Sequence, residues 1–158
     1  LKPFGDAVKA VVSDGFKGYS EAPDAAVIAG MGGEEIIKIL SASPFTVKTL
    51  ILLPHKNQDK VRAFLSANGY KAEKDYTFKD GKKFYDIMLF TRGKGELNDF
   101  EIKYGKDNLK TRPADFIEKL RAEAAKKRAI LSSDASESLL SEVNRELTEI
   151  EGIINGSF

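Results

Sequence analysis

A glycine-rich run, Ala29-Gly30-Met31-Gly32-Gly33, has the clearest chemical meaning of any local pattern in this 158-residue sequence. It follows an apolar segment and precedes Glu34-Glu35, where a helix is predicted to begin. Glycines at such a place allow positive φ angles and let the backbone approach a ligand closely. Because two glutamates disfavour a phosphate, the run favours a neutral or cationic ligand. Considered alone, it is equally consistent with a tight connection between a strand and a helix.

Two further polar runs follow predicted strands. Asp14-Gly15 ends the first apolar segment, where a carboxylate can accept hydrogen bonds from a ribose or an exocyclic amine. An Asp-Gly turn is the simpler interpretation of that dipeptide. Pro54-His55-Lys56-Asn57 follows the third apolar segment and should reach the same edge of the sheet. We interpret His55, the single histidine, as a surface or supporting group rather than as a general base.

Composition removes several classes of function. With one His and no Cys, disulfides, thiolate nucleophiles and His- or Cys-rich metal sites are excluded, and we predict no metal. Because 25 Lys and Arg residues balance 24 Asp and Glu residues, affinity for nucleic acid has to come from local patches. No apolar run approaches the ~20 residues that cross a bilayer, so we expect a cytoplasmic protein without a membrane partner.

The order of apolar segments predicts an α/β fold. Three nearly continuous apolar runs are typical of strands that are covered on both faces. These predicted strands are residues 8–13, 25–29 and 49–53. Predicted helices at 34–42 and 58–68 follow the second and third strands, which indicates a parallel sheet with right-handed crossovers. Runs at 71–79 and 83–91, joined through Asp80-Gly81, predict a terminal antiparallel hairpin.

We predict two domains, an α/β domain over residues 1–97 and a helical domain over 98–158. Pro113 is expected to begin one helix, and Asp134-Ala-Ser-Glu137 has the capping-box spacing that begins another. The apolar faces expected to meet are Ile117, Leu120, Ala124 and Leu131 on the first helix and Leu140, Val143, Leu147, Ile150 and Ile154 on the second. The short polar link predicts an antiparallel coiled-coil hairpin.

The two helices carry opposite charge. Residues 109–131 include seven basic and three acidic side chains, whereas residues 132–158 include one basic and six acidic. One interpretation is that the opposite charges hold the helices in register. The other is that Lys126, Lys127 and Arg128 bind phosphates, and the two interpretations are compatible.

Together these runs resemble the bacterial tRNA (adenine-22) N(1)-methyltransferases. The resemblance rests on Ile28–Gly33 after a strand, Asp14-Gly15 after the preceding strand, Leu50–Pro54, the terminal hairpin, and Tyr104-Gly105 before a helical hairpin. It implies a class I methyltransferase (Rossmann-like) sheet, S-adenosylmethionine as cofactor, tRNA as partner, and methylation of adenine 22. One departure is Leu53-Pro54-His55, where the family usually has a Gln-Pro-Asn-like run.

The resemblance also implies roles for the runs. Catalytic roles fall on Gly30, Met31, Gly32 and Gly33, and cofactor contacts fall on Asp14, Gly15, Ala29 and Gly30. Contacts with the RNA substrate fall on Pro54, His55, Asn57, Lys126, Lys127 and Arg128. Because adenine N1 attacks with a lone pair that is already present, no Ser, Cys or His has to be activated, and positioning supplies the catalysis.

The same resemblance predicts that the chain is the carboxyl-terminal portion of such an enzyme. The acidic, glycine-rich cofactor motif of the family is missing, so the fragment alone is expected to be inactive and to bind S-adenosylmethionine weakly or not at all. Two alternatives stay open on the residues themselves. One is a non-catalytic RNA- or protein-binding module on an α/β scaffold. The other is an enzyme of another nucleotide-using α/β family, although the hairpin favours the methyltransferase sheet over flavodoxin-like folds.

Overall fold

A computed structural model describes residues 7–157, and within them one mixed sheet is combined with six helices. The strands are β1 (Ala25–Met31), β2 (Thr49–Pro54), β3 (Tyr70–Asp80) and β4 (Lys83–Arg92). The helices are α1 (Gly33–Ser41), α2 (Gln58–Ala67), α3 (Asp99–Tyr104), α4 (Lys106–Thr111), α5 (Ala114–Leu131) and α6 (Glu137–Asn155). The predicted α/β class is confirmed, as are the strands predicted within 25–91 and the helices at 34–42 and 58–68.

The sheet has the strand order β1-β2-β4-β3. β1 and β2 are parallel, whereas β4 runs antiparallel to both β2 and β3. The predicted hairpin is confirmed, and Gly81 at its turn adopts a φ of +58°. A parallel pair is therefore extended by an antiparallel hairpin, which places the carboxyl end of β2 beside the start of β4.

The strand predicted at residues 8–13 is wrong. These residues form no strand in the described part of the chain, and Val11 and Val12 are 49% and 106% exposed. The prediction that the strands are covered on both faces is also wrong for β1, where Val27 is 65% exposed. An apolar run favours the extended conformation, but a strand persists only when a neighbour accepts its backbone hydrogen bonds. β1 is an edge strand of the described sheet, so the sheet has only one parallel pair.

The main core lies where α1 and α2 pack against one face of the sheet. Side chains alternate along β2, so that Leu50 and Leu52 are fully buried while Ile51 and Leu53 are half-buried on the other face. The other members of this core are Ile36, Val47, Val61, Leu65, Tyr70, Ala72, Met88 and Phe90. This packing fixes the direction in which the loops after β1 and β2 leave the sheet.

A second core joins α5 and α6. Leu120 and Ala124 on α5 and Leu147 and Ile150 on α6 are buried as predicted. Phe116 and Ile153 are almost fully buried, whereas Ile117 and Ile154, which the spacing placed on the seam, are only partly buried. The coiled-coil geometry of this pair stays a prediction.

The start of α6 differs from the prediction. Ser136, not Asp134, is the N-cap residue, and its hydroxyl accepts a hydrogen bond from the Leu139 amide at 3.4 Å. Ser136 stands directly before the first helical residue, so its short side chain can reach the exposed amides of the first turn. Asp134 lies two residues too early for this contact.

The outer edge of β3 is covered by side chains from the helical region. The amides of Asp75, Thr77 and Lys79 donate to the side chains of Asp107, Asn108 and Asp115 at 3.0, 2.7 and 2.8 Å. Alternate amides of an edge strand point outward, and here each finds an acceptor that blocks pairing with another chain. Residues on both sides of the predicted boundary at 97/98 therefore share hydrogen bonds.

Candidate functional site

Two of the predicted runs are hydrogen-bonded to each other. The His55 amide donates to the Met31 carbonyl and the Gly33 amide donates to the Lys56 carbonyl, both at 2.9 Å. We call residues 29–33, from the end of β1 to the start of α1, the first loop, and residues 54–57, from the end of β2 to the start of α2, the second loop. The first loop therefore lies beside the second. In open α/β sheets, ligands bind at the carboxyl ends of the strands, which is where both loops lie.

Glycine is required for different reasons at different positions of the first loop. Gly30 adopts a φ of +77°, where the β1–β2 register shifts, and a Cβ there would meet no atom within 4 Å. A Cβ on Gly33 would lie 2.4 Å from the Asn57 carbonyl oxygen, so only glycine permits this approach of the loops. Gly32 has a φ of −71°, which any residue can adopt. The predicted positive φ is confirmed at Gly30 and wrong at Gly32.

Asn57 turns the second loop into α2 with a left-handed backbone, at φ 56° and ψ 42°. Asn enters this region more readily than most residues, and such conformations concentrate at functional sites. Its side chain makes no capping hydrogen bond to the helix. The side-chain amide of Asn57, which can both donate and accept a hydrogen bond, therefore does not cap α2 and is able to bind a ligand.

A cavity of about 510 Å³ opens between the second loop and the helices α5 and α6. Its walls include His55, Asn57, Phe84, Tyr104, Lys127 and Glu146. The His55 ring packs edge-on against Tyr85, with the ring centroids 6.2 Å apart. A cleft of this volume with aromatic walls and a few polar groups is suited to a small planar ligand such as a nucleobase. We call it the interhelical cleft.

Most lysines of the interhelical cleft are neutralised by carboxylates. Lys103 pairs with Glu149 at 2.7 Å and Lys119 pairs with Asp86 at 3.0 Å. Lys127 pairs with Glu146 across the two helices. Burial, together with a hydrogen bond to Glu149, raises the pKa of Tyr104, so its hydroxyl stays protonated and donates. The walls of the cleft therefore carry little net charge.

A buried ion network lies beneath this cleft. Arg62 on α2 is fully buried, and its guanidinium donates to Asp75 at 2.7 Å and to Asp86 at 2.9 Å. It also donates to the carbonyls of Ile102 and Lys103 at the end of α3. Burial opposes the charge on Arg62, but the two carboxylates outweigh it and raise its pKa. One side chain thus ties α2, both strands of the hairpin and α3 together.

Asp86 extends the network to α5. Its carboxylate accepts hydrogen bonds from Thr77 at 2.7 Å and from Lys119 at 3.0 Å. Burial alone would raise the pKa of Asp86, but Lys119 and Arg62 hold it below its ordinary value. This network was not predicted from the sequence, although the spacing of Val61, Arg62 and Leu65 places the arginine next to the buried face of α2.

Comparison with known proteins identifies the family of the chain. Residues 3–154 match the family model of the tRNA (adenine(22)-N(1))-methyltransferases. The chain belongs to this family. The resemblance inferred from the sequence is therefore confirmed, and the Rossmann-like methyltransferase fold with it.

Individual relatives support the same family. A Streptococcus agalactiae protein of the NADB-Rossmann superfamily is 26% identical with a TM-score of 0.81, over 91% of this chain and 66% of that one. The Streptococcus pneumoniae protein Sp1610, described as "a putative tRNA (m1A22) methyltransferase, in complex with S-adenosyl-L-methionine", is 25% identical with a TM-score of 0.74, over 83% of this chain and 60% of that one. The Mycoplasma genitalium "Putative tRNA methyltransferase MG248" is 33% identical over 84 residues, which are 51% of this chain and 38% of that protein. The chain thus spans less than two thirds of the length of each of these relatives.

The family residues predicted for the cofactor are only partly brought together. Ala29 and Gly30 lie in the first loop, whereas Asp14 and Gly15 lie beside the second half of α1. There Asp14 pairs with Lys17 at 2.6 Å, and a Cβ on Gly15 would lie 3.0 Å from the Ile39 side chain. The lysine hydrogen bond lowers the pKa of this exposed carboxyl. Because residues 8–13 form no strand, Asp14 does not follow one as predicted.

The three consecutive cations of α5 are separated by the helix. Lys127 lines the interhelical cleft, whereas Arg128 lines a different groove and pairs with Glu151 at 2.6 Å. Lys126 is exposed. Successive helical residues point about 100° apart, so the three side chains cannot share one surface. Of the predicted substrate contacts, His55, Asn57 and Lys127 share the cleft.

The described residues contain neither a membrane-spanning helix nor a cluster of metal-binding side chains. Among residues 7–157, no helix is both long enough and apolar enough to span a bilayer. Nor do the described His, Asp and Glu side chains form a group of three or more that could hold a metal ion.

Proposed function

We propose that this protein methylates N1 of adenine 22 in tRNA with S-adenosylmethionine as the methyl donor, in the cytoplasm. The single observation that carries the proposal is the family match over residues 3–154. The paired loops at the carboxyl ends of β1 and β2 support it, because they lie at the edge where such sheets bind ligands. The second loop, but not the first, lines the interhelical cleft.

The residues present fit the cofactor at the first loop. The space beyond Gly30 is open, and the nearby Glu35 carboxylate favours a cationic ligand over an anionic one. Ala29 and Gly30 would hold S-adenosylmethionine through their backbone, whereas Asp14 and Gly15 lie beside the second half of α1 and are assigned no contact at this loop. When bound, the cofactor supplies an activated methyl group on a positively charged sulfur.

The chain's own residues then have to position a base rather than activate one. Adenine N1 carries the reacting lone pair, so no general base is required, and orientation is the main contribution of the protein. We assign the backbone of Met31, Gly32 and Gly33 to the reacting edge of the base. Pro54, His55 and Asn57 would hold the rest of the nucleotide, with the Asn57 amide able to donate and accept at one adenine edge.

A methylation assay tests the proposal directly. The full-length protein is incubated with radiolabelled S-adenosylmethionine and a tRNA transcript that has adenine at position 22. A matched transcript with guanine at that position is the control. We expect N1-methyladenosine in the first transcript only, identified by mass spectrometry of the digested RNA. Equal labelling of both transcripts, or tight tRNA binding without any labelling, would contradict the proposal.

The cations of α5 give a second prediction. Lys126 makes no ion pair in the described part of the chain, whereas Lys127 and Arg128 are paired with glutamates of α6. Lys126→Gln should therefore reduce the salt slope, the slope of log K for tRNA binding against log salt concentration, by about one unit for the lost phosphate contact. The melting temperature should stay unchanged. Lys127→Gln should instead lower thermal stability, by about 0.2–1 kcal/mol.

Both quantities are measured on the same preparations, by tRNA binding at several salt concentrations and by thermal melting. If Lys126→Gln leaves the salt slope at the wild-type value, Lys126 makes no phosphate contact, and only Lys127 and Arg128 remain as candidates on this part of α5. A triple Gln variant at 126, 127 and 128 that keeps the wild-type salt slope would assign the RNA surface elsewhere.

A further inference from the structure

One lysine of the interhelical cleft differs from the others. Four lysines line the cleft, and Lys103, Lys119 and Lys127 each pair with a carboxylate. The fourth, Lys56, is exposed and has no ion-pair partner among residues 7–157. Its charge also acts on the Glu34 carboxylate, but Glu34 is itself paired with Lys60 at 2.6 Å. Lys56 is therefore the lysine of the described cleft that can still form an ion pair with an incoming anion.

The position of Lys56 is set by the paired loops. Its carbonyl accepts the Gly33 amide at 2.9 Å, which fixes its backbone against the first loop. Its side chain extends over Gly32, since a Cβ on that glycine would lie 3.1 Å from the Lys56 Cε atom and 3.6 Å from its Cγ atom. The absence of a side chain on Gly32 gives the lysine stem a place to pack. The ammonium is thereby held next to the glycine-rich run.

Apart from Lys56, the unpaired charges near the two loops are negative. Glu35 follows the first loop, and Asp59 on the first turn of α2 lines the cleft. Lys60 is already paired with Glu34 at 2.6 Å. Glu35 and Asp59 form no ion pair among the described residues, so an RNA phosphate that approached the loops would be repelled by these carboxylates, and the Lys56 ammonium reduces that repulsion.

We propose that Lys56 binds a phosphodiester oxygen next to the target nucleotide and so holds that nucleotide out of the RNA stack. This inference rests on the proposed function. A base that reaches the first loop has to rotate about its backbone, which costs a few kcal/mol of stacking and pairing. The rotation brings a flanking phosphate to the mouth of the site. A contact made only with the rotated nucleotide favours the reactive arrangement over the stacked one.

The test compares Lys56→Gln with Lys56→Arg and with Lys48→Gln as a matched control. Lys48 is an exposed lysine at the amino end of β2, whereas Lys56 lies beyond its carboxyl end. Lys48 has no ion pair among the described residues. We expect Lys56→Gln to raise the KM for tRNA about tenfold and to reduce the salt slope of tRNA binding by about one unit. The KM for S-adenosylmethionine and the melting temperature should stay at wild-type values. Lys56→Arg should restore most of the affinity, and Lys48→Gln should behave as wild type.

A modified RNA locates the contact. A tRNA with an uncharged methylphosphonate on each side of nucleotide 22 should bind wild type and Lys56→Gln equally, because the phosphate that Lys56 needs is gone. If Lys56→Gln still weakens binding to this RNA, or leaves binding and salt slope unchanged with ordinary tRNA, the assignment is overturned. Binding decides this question independently of catalysis. A wild-type protein that binds tRNA but does not methylate it contradicts the proposed function alone.

Discussion

Replacing Arg62 with alanine is expected to destabilise the protein by about 3–5 kcal/mol, the largest stability effect of any single substitution we predict. Arg62 is fully buried, and its removal would leave Asp75, which is also fully buried, without its cationic partner. The carbonyls of Ile102 and Lys103 would lose their donor as well. An unpaired buried carboxylate has to be desolvated without compensation or protonated, and both are costly.

Arg128→Ala is the matched control, because it removes the same side chain from an exposed ion pair. The Arg128 side chain is 58% exposed, and its pair with Glu151 should contribute about 0–1 kcal/mol. Chemical denaturation of the full-length protein gives both free energies of unfolding. A double variant, Arg62→Met with Asp75→Asn, should lose less free energy of unfolding than the sum of the losses of the two single variants, since it leaves no buried carboxylate without a partner. A loss below about 1 kcal/mol for Arg62→Ala would show that the network contributes little to folding.

The Arg62 network also explains where prediction from the sequence stops. Hydrophobic periodicity found α2 because Val61, Phe64 and Leu65 repeat at helical spacing. The same rule treats arginine as a solvent-facing residue. Its partners, Asp75 and Asp86, lie on β3 and β4 and carry no local signal of their own. Burial of an ion network depends on how distant elements meet, and a linear pattern does not contain that information.

Some predicted strands form and one does not, and the reason again lies in contacts between distant elements. β1, β2 and the hairpin form because each has a neighbour to accept its hydrogen bonds. Residues 8–13 include three valines and an alanine but also Lys9, they have no neighbour in the described sheet, and their valines are exposed. Composition gives the tendency to extend, whereas pairing decides whether a strand exists.

The candidate site was predictable at the level of loops rather than side chains. The order of strands places both polar runs at one edge, and the structure joins them through two backbone hydrogen bonds. The sequence gives no sign that the Lys56 stem covers Gly32, because that contact depends on the path of both loops. It also placed Lys126, Lys127 and Arg128 together as neighbours in the chain, whereas helical geometry directs them apart.

Substitutions at Gly32 and Gly33 distinguish a glycine that leaves room for a ligand from one that is required for packing. Gly32→Val should reduce methylation by at least about 100-fold, because a misplacement of about 1 Å in the reacting groups has an effect of that size. At φ −71° and ψ 152° a β-branched residue is unstrained, and its nearest obstacle is the flexible end of Lys56. The protein should therefore fold normally, with a free energy of unfolding within about 0.5 kcal/mol of wild type.

Gly33→Ala should behave differently, because its Cβ would lie 2.4 Å from the Asn57 carbonyl oxygen and 2.9 Å from that of Lys56. Backbone cannot yield as a lysine tip does, so we expect both lost activity and a loss of about 1–3 kcal/mol in stability. Gly152→Ala on α6 is the control, since its Cβ would meet only the Ser157 carbonyl at 3.6 Å, and alanine should be neutral or stabilising there.

His55→Ala completes the comparison. We assign His55 to holding the nucleotide, with its ring packed against Tyr85, and not to moving a proton. Methylation by the His55→Ala variant should therefore fall less than tenfold, well below the 100-fold or more that loss of a general base costs. Methylation is measured at saturating tRNA together with thermal melting, so that chemistry and folding are read separately. An inactive His55→Ala variant beside a fully active Gly32→Val variant would reverse the assignment, because the reaction would then depend on the imidazole rather than on the open backbone of the first loop.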